Sequence, residues 1–381
     1  MTRGAKWFVS DLLPRWLRVA MRPDGFVAES LDADGRPDDA PPTVLTQART
    51  VFALAHLHLV TGDPTFLTAA RRIHAAMDAT LRDPDGGYRV SADLGLRRSY
   101  DQSFALLALV TLRRADPSAV AAGDVDALWS FIAGPLTEPA TGALWQDDAV
   151  EECGQTRGQN PHMHMLEAVL QAHEMTGDAV WLNRAAHFVM LARRYFIDPE
   201  TGAVREFVGP DLAPMATPEG ARREPGHQYE WAWLLHRFAD RGGDGGARDL
   251  ATRMIRFVEA HGLRADGPMA GAPFDALDAR GGVTEDTHLL WPLTEAGKFH
   301  AAMGDTPRLR AIEAMIFERC FADRNPTWVN RIDGNGDTLW PTALSRLVYH
   351  VALFVTEGAR AGAWSLTAPE RQTKRLEETP T

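Results

Sequence analysis

Apolar residues recur along almost the whole chain at the helical period, which reads as nearly all helix. The pattern predicts twelve helices, at about 4–21, 43–61, 64–82, 98–114, 117–134, 160–176, 178–197, 227–240, 246–262, 285–303, 305–323 and 340–358. A weak internal repeat supports the count. Thr61-Gly62-Asp63 is followed by Phe66, Leu67 and Ala70. Thr176-Gly177-Asp178 is followed by Trp181, Leu182 and Ala185, and Met303-Gly304-Asp305 by Leu309 and Ile312. Each Gly suits a helix end, and each Asp can cap the helix after it. Degraded versions stand at Ala115-Asp116-Pro117 and Gly243-Asp244. The five aspartates are spaced by 53, 62, 66 and 61 residues, the length of one helical hairpin plus one long loop.

Longer loops alternate with these tight joints and carry Gly-rich turns. Examples are Asp83-Pro84-Asp85-Gly86-Gly87, Pro139-Ala140-Thr141-Gly142, Asp198-Pro199-Glu200-Thr201-Gly202 and Asp333-Gly334-Asn335-Gly336. Short hairpin strands fit some of them, as at 203–207. Six hairpins from twelve helices predict an all-α fold, an (α/α)6 barrel with an inner ring of helices inside an outer ring. An open solenoid is the structural alternative. No break in composition divides residues 1–368, which read as one catalytic domain. Residues 369–381 are charged and poor in apolar side chains, and predict a disordered tail.

Composition narrows the functional classes. The chain has 381 residues, 45% hydrophobic and 24% charged, ordinary values for a globular protein with a large core. Its net charge of −11 argues against a nucleic-acid partner, because phosphate binding wants a basic face. Cys153 and Cys320 make neither a disulfide framework nor a metal-type pair. No stretch is apolar enough for a membrane span and no signal-peptide pattern opens the chain, so a cytoplasmic protein is expected. The oligomeric state stays open, with a homo-oligomer among the options.

In a hairpin ring the long loops share one face, where function is expected. Helices starting there present Gln47 and Arg49, Tyr100-Asp101-Gln102, Asn160-Pro161-His162-Met163-His164, Pro225-Gly226-His227-Gln228-Tyr229-Glu230-Trp231, Glu285-Asp286 through Trp291, and Arg346, Tyr349 and His350. His227 and Glu230 are three apart and share a helix face, and a carboxylate beside an imidazole suits a general base. His162 and His164 are two apart, so on a helix they diverge and do not readily share a metal ion. No metal and no cofactor is expected. Trp145, Trp231, Trp291 and Trp340 fit core packing or a platform for a sugar ring. An arginine such as Arg49 near a helix start stands against the helix dipole, which hints at a task. The carboxylates Asp101, Glu230, Glu285, Asp286 and Glu295 keep a glycoside hydrolase in play.

Several segments together resemble the N-acylglucosamine 2-epimerase superfamily, which includes aldose–ketose (mannose) isomerases and cellobiose 2-epimerases. They are Asn160-Pro161-His162-Met163-His164 with Glu167, Pro225 through Trp231, Trp291-Pro292-Leu293-Thr294-Glu295, and Tyr349-His350. Thr46-Gln47-Ala48-Arg49 and Tyr100 through Ala105 add support, and the resemblance runs from about Trp7 to about Phe354. It implies the (α/α)6 barrel and a monosaccharide substrate. It implies that His227 and His350 are acid/base residues on opposite sides of the sugar, and that Glu230 supports or orients within the site. It further implies that His164 binds near the carbonyl or ring oxygen, that Arg49 stabilises an enediolate, and that Trp291 lines the pocket with Asn160 and Tyr100. The mannose–fructose isomerase branch looks nearest, with a 2-epimerase as the second reading and a non-catalytic sugar binder as a distant one. Arg346 stands where that pattern has a lysine, which leaves open a phosphorylated, N-acetylated or sulfonated sugar.

Overall fold

The computed structural model describes residues 4–121, 123–150, 156–321 and 324–366. The expected tail at 369–381 and Cys153 lie outside them. Twelve helices carry the fold. They are α1 (Leu13–Ala20), α2 (Val44–Thr61), α3 (Pro64–Leu81), α4 (Ser99–Ala115), α5 (Asp124–Ala133), α6 (Gln159–Thr176), α7 (Ala179–Leu191), α8 (Pro225–Asp240), α9 (Gly246–His261), α10 (Leu290–Ala302), α11 (Thr306–Arg319) and α12 (Val348–Arg360). The even-numbered helices stand side by side, and α12 packs back on α2, closing an inner ring. Helices α3, α5, α7, α9 and α11 each pack outside the inner helix before them. The segment leading into α1 packs on α11, where Trp7 meets Phe317 and Phe8 meets Phe321 at ring-centroid distances of 6.4 and 5.9 Å. This is the expected (α/α)6 barrel, and the solenoid alternative falls with the closure of the ring.

Burial explains the two kinds of helix. Every residue from Thr46 to Ala55 and from Asp101 to Leu112 is buried, because inner helices are covered on all sides. Outer helix α3 buries one stripe, Phe66, Ala70, Ile73, Met77 and Leu81. The tight joints form as the repeat requires. Gly62, Gly177 and Gly304 take φ of 74°, 74° and 70°. The caps Asp63, Asp178 and Asp305 accept from the amides of Thr65, Val180 and Arg308 at 2.9, 2.9 and 3.2 Å.

Three expected helix starts move. Asp116 holds a turn by accepting from the Ser118 amide at 2.9 Å, so α5 starts at Asp124 rather than 117. The stretches before α10 and α12 are extended. His288–Leu289, Arg331–Ile332 and Thr338–Trp340 form a three-stranded antiparallel sheet, which takes Glu285, Asp286 and Trp340 out of the helices. Val283–Glu285 pairs with Ala276–Leu277 as a hairpin inside one long loop. Arg157–Gly158 pairs with Phe207–Val208, and Ser30–Leu31 with Ala343–Leu344, tying neighbouring loops together at the mouth.

A further repeat seats those loops. The fourth residue of α2, α4 and α8 is Gln47, Gln102 and Gln228, and each amide grips one residue of the preceding loop by its backbone. Val27, Tyr88 and Val204 donate their N–H at 2.9, 2.8 and 2.7 Å and accept at their carbonyls at 3.0, 2.7 and 3.1 Å. The same position of α6 is His162, whose Nε2 accepts from the Leu144 amide at 2.9 Å while Nδ1 donates to the Gly158 carbonyl at 2.9 Å. Both nitrogens are spent, and burial brings its pKa down to about 3. His162 is a structural clamp, which removes it from any metal pair with His164.

Close packing of the inner ring depends on Gly297, where an added Cβ would stand 2.3 Å from the Phe354 ring of α12. Gly297→Ala is expected to destabilise the protein by about 1–3 kcal/mol through overpacking, despite the better helix propensity of Ala. Denaturant unfolding followed by circular dichroism checks it. Unchanged stability would mean that α10 and α12 separate freely at this point.

Candidate active site

Position along the inner helices decides which side chains reach the axis. The third residue of α8 is His227 and of α12 is His350. One turn deeper, the sixth residues of α2, α6, α8 and α10 are Arg49, His164, Glu230 and Glu295. Below them the ninth residues of α6 and α10 are Glu167 and Lys298. These layers line and floor a cavity of about 620 Å³ at the long-loop mouth. All eight site residues expected from the sequence, Arg49, Tyr100, Asn160, His164, His227, Glu230, Trp291 and His350, line it.

The two upper histidines are held in opposite electrical settings. His227 Nδ1 lies 2.8 Å from Glu206 Oε2 and 3.3 Å from Glu224 Oε2. Burial alone would lower its pKa, but the two carboxylates overcome that and raise it to about 9. His350 Nδ1 lies 2.7 Å from Glu295 Oε1. Burial, with the charges of Arg49 and Lys298, pushes His350 well below the usual imidazole range. At neutral pH His227 is an imidazolium and His350 a neutral ring. Burial and Glu230 push the Glu295 carboxyl up, against the pull of Lys298; with that carboxyl ionised, the His350 Nδ1–H points to it, which leaves Nε2 as an acceptor 3.4 Å from Arg49 Nη1. Trp291 packs against both, with ring centroids 4.7 Å from His227 and 5.9 Å from His350.

The expected contact between His227 and Glu230 is not made. Glu230 lies one helical turn deeper, fully buried, with Oε1 3.9 Å from both Lys298 Nζ and His164 Nδ1. Glu206, from the loop before α8, and Glu224, three residues ahead of His227, take the place assigned to it. The same three-residue spacing pointed to Glu224 as readily as to Glu230. Nothing in the sequence marked Glu206, which the pairing of Phe207–Val208 with Arg157–Gly158 carries to the site.

Arg49 is buried and makes no carboxylate contact among the described residues. Its Nη2 donates to the Tyr100 hydroxyl at 2.5 Å, and its guanidinium lies 4.1 Å above the Phe104 ring. His164 Nδ1 lies 3.1 Å from Glu167 Oε2, which also accepts from the Tyr349 hydroxyl. Burial lowers the His164 pKa. The buried amide oxygen of Asn160 has no protein partner among the described residues. Lys298 Nζ, 2.5 Å from Glu295 Oε2, offsets the buried carboxylates of the floor.

Three groups have ligand atoms within 4.8 Å of one another and could in principle meet a metal ion. They are His164–Glu167–Glu230, Glu206–Glu224–His227 and Glu230–Glu295–His350. In each the imidazole is already hydrogen-bonded to a carboxylate, and Lys298 places a cation beside the third. Of the carboxylates that a hydrolase could use, Glu206 and Glu224 are engaged with His227. Glu295 and Glu230 lie buried around Lys298, and Glu285 binds Arg222 at the rim at 2.6 Å. Trp231 donates to Gln159 at 2.6 Å and is core, Trp145 stacks under Arg157, and Trp340 remains at the cavity rim.

Comparison with known proteins gives concordant results. The family model described as N-acylglucosamine 2-epimerase matches residues 25–353. A mannose-6-phosphate isomerase of Rhizobium meliloti (strain 1021) is 34% identical over 304 residues, covering 76% of each chain. A D-mannose isomerase of Pseudomonas cannabina pv. alisalensis is 30% identical over 307 residues, covering 72% of this chain and 70% of its own. Among solved structures, a D-mannose isomerase superposes with a TM-score of 0.80 at 17% identity, over 93% of this chain and 97% of that one. Among the described residues no helix is long and apolar enough to cross a membrane.

Proposed function

Because the chain belongs to the N-acylglucosamine 2-epimerase family and is a sugar isomerase or epimerase, we propose that it interconverts a mannose-type aldose with its ketose, D-mannose and D-fructose in the simplest case. The observation that carries the chemistry is the pair of imidazoles in contrasting surroundings on either side of Trp291, His227 against Glu206 and Glu224 and His350 against Glu295 and buried Arg49. The choice of isomerisation over epimerisation rests on the relatives, whose names share the mannose skeleton and differ in whether it is phosphorylated.

The C2 proton of an aldose becomes acidic only when the adjacent carbonyl can become an enediolate. In this reading the open-chain aldose lies with its C1 and C2 oxygens toward Arg49, whose guanidinium stabilises the developing charge. Neutral His350 takes the C2 proton at Nε2, while Glu295 at Nδ1 stabilises the imidazolium that forms. Return of that proton to C1 gives the ketose, with the hydroxyl proton moved from O2 to O1. His227, already protonated, supplies a proton to oxygen during ring opening and enediol formation. His164, Asn160 and Tyr100 fix the sugar hydroxyls, and Trp291 covers an apolar face. No step requires a metal or an organic cofactor.

A second reading has its own observation. An imidazolium at His227 and a neutral His350 also suit delivery of a proton to the opposite face of C2, which yields the 2-epimer. Proton NMR of the purified protein with D-mannose in D2O, with EDTA present, separates the readings. Fructose labelled at C1 is expected. Glucose labelled at C2 as first product would select the epimerase, and activity restored only by a divalent ion would overturn the metal-free chemistry.

A further inference from the structure

The cavity is electrically lopsided. Its carboxylates Glu206 and Glu224 serve His227 and Arg222, and Glu230 lies beside Lys298. The other side carries Arg49, Arg98 and Arg346. Arg49 spends its donors on a phenol and an imidazole. The side chains of Arg98 and Arg346 make no hydrogen bond or ion pair among the described residues. Glu29 acts on Arg346 only at a distance, and its own carboxylate accepts from the amide and hydroxyl of Thr43 at 2.7 and 2.9 Å and from the Thr46 hydroxyl at 2.5 Å. Asp147, also on the cavity wall, accepts from the Ala149 amide at 3.1 Å. Buried Asp101 acts electrostatically on exposed Arg98 and on Arg49, so in a chain of net charge −11 it is half-buried Arg346, with no carboxylate in contact, that calls for an anionic ligand.

Arg346 is half-buried in the turn Ser345–Leu347 that runs into α12, four residues before His350. Four residues put it on the same side and about 6 Å nearer the mouth. A substrate whose C2 meets His350 spans about 5 Å from C2 to C6 when its four carbon–carbon bonds are staggered and extended, so a group attached at C6 comes to the height of Arg346. Burial and the neighbouring charge of Arg49 both lower the Arg346 pKa, a direction that an anion beside the guanidinium opposes.

We propose that Arg346, with Arg98 at the cap of α4, forms an anion subsite, and that the preferred aldose carries a phosphate or sulfonate at C6. The skeleton of that substrate rests on the isomerase reading above; the subsite does not. It is therefore tested with alditols, which have no carbonyl to react. Calorimetric titration of the purified chain with glucitol 6-phosphate, 6-deoxy-6-sulfoglucitol and glucitol is expected to show at least about tenfold tighter binding of an anionic form. Which anion binds tighter identifies the group. The preference is expected to weaken with added salt and to collapse in Arg346→Gln. Wild-type affinities for all three within about threefold of one another, or a preference that survives in folded Arg346→Gln, would overturn the subsite. Should Arg346→Gln fail to fold, Arg98→Gln and the wild-type salt dependence decide. Turnover of mannose 6-phosphate against mannose then reports on the isomerase reading alone.

Discussion

His350→Asn is expected to lower kcat for aldose–ketose conversion by about 10²–10⁴-fold, the range for a positioned acid/base group. The expectation comes from its surroundings. Burial and the charges of Arg49 and Lys298 keep the ring neutral, and Glu295 fixes which nitrogen is free. Asn keeps a donor toward Glu295 but offers no basic nitrogen near Arg49. Solvent deuterium should therefore cease to enter the sugar at the same time as product ceases to form, with little change in KM. NMR exchange and progress curves on a variant shown to be folded by circular dichroism check this. Near-normal exchange would move the base elsewhere, with His164 the next candidate.

Much of this site was legible because the barrel repeats. Gly62, Gly177 and Gly304 with their aspartates marked the tight joints, and that fixed which helix starts face the mouth. Once those starts are known, Arg49, His164, Glu230 and Glu295 fall at one height because they share the sixth position of their helices. Two features were hidden for physical reasons. Glu206 reaches His227 through a two-residue strand pairing between loops, which no local period reports. The extended segments before α10 and α12 carry apolar residues such as Val283, Leu339 and Trp340, which stay exposed at the mouth and mimic the start of a helix. His162 and His164 divide as their two-residue spacing requires, since His162 holds a loop as Gln47, Gln102 and Gln228 do while His164 lines the cavity.

The electrical asymmetry of the two upper histidines sets the second large expectation. His227→Asn is expected to cut turnover by about 10²–10⁴-fold, and its signature lies in the pH profile. Folding raises the His227 pKa from about 6.5 to about 9, through Glu206 and Glu224 working against burial. The imidazolium is thus present across neutral pH and is lost as pH rises through about 9, so wild-type kcat should fall on that alkaline limb. Glu206→Gln removes the nearer carboxylate, 2.8 Å from Nδ1, and should bring the limb down toward the ordinary imidazole range. His227→Asn should abolish that limb from whatever activity remains. The variants must be read together, because a loss of rate alone also follows from a misplaced Trp291, whose ring packs 4.7 Å from His227. A displaced tryptophan would slow turnover and leave the limb near pH 9, whereas loss of the acid removes it. An alkaline limb unchanged in both variants would assign it to another group and take His227 out of proton transfer.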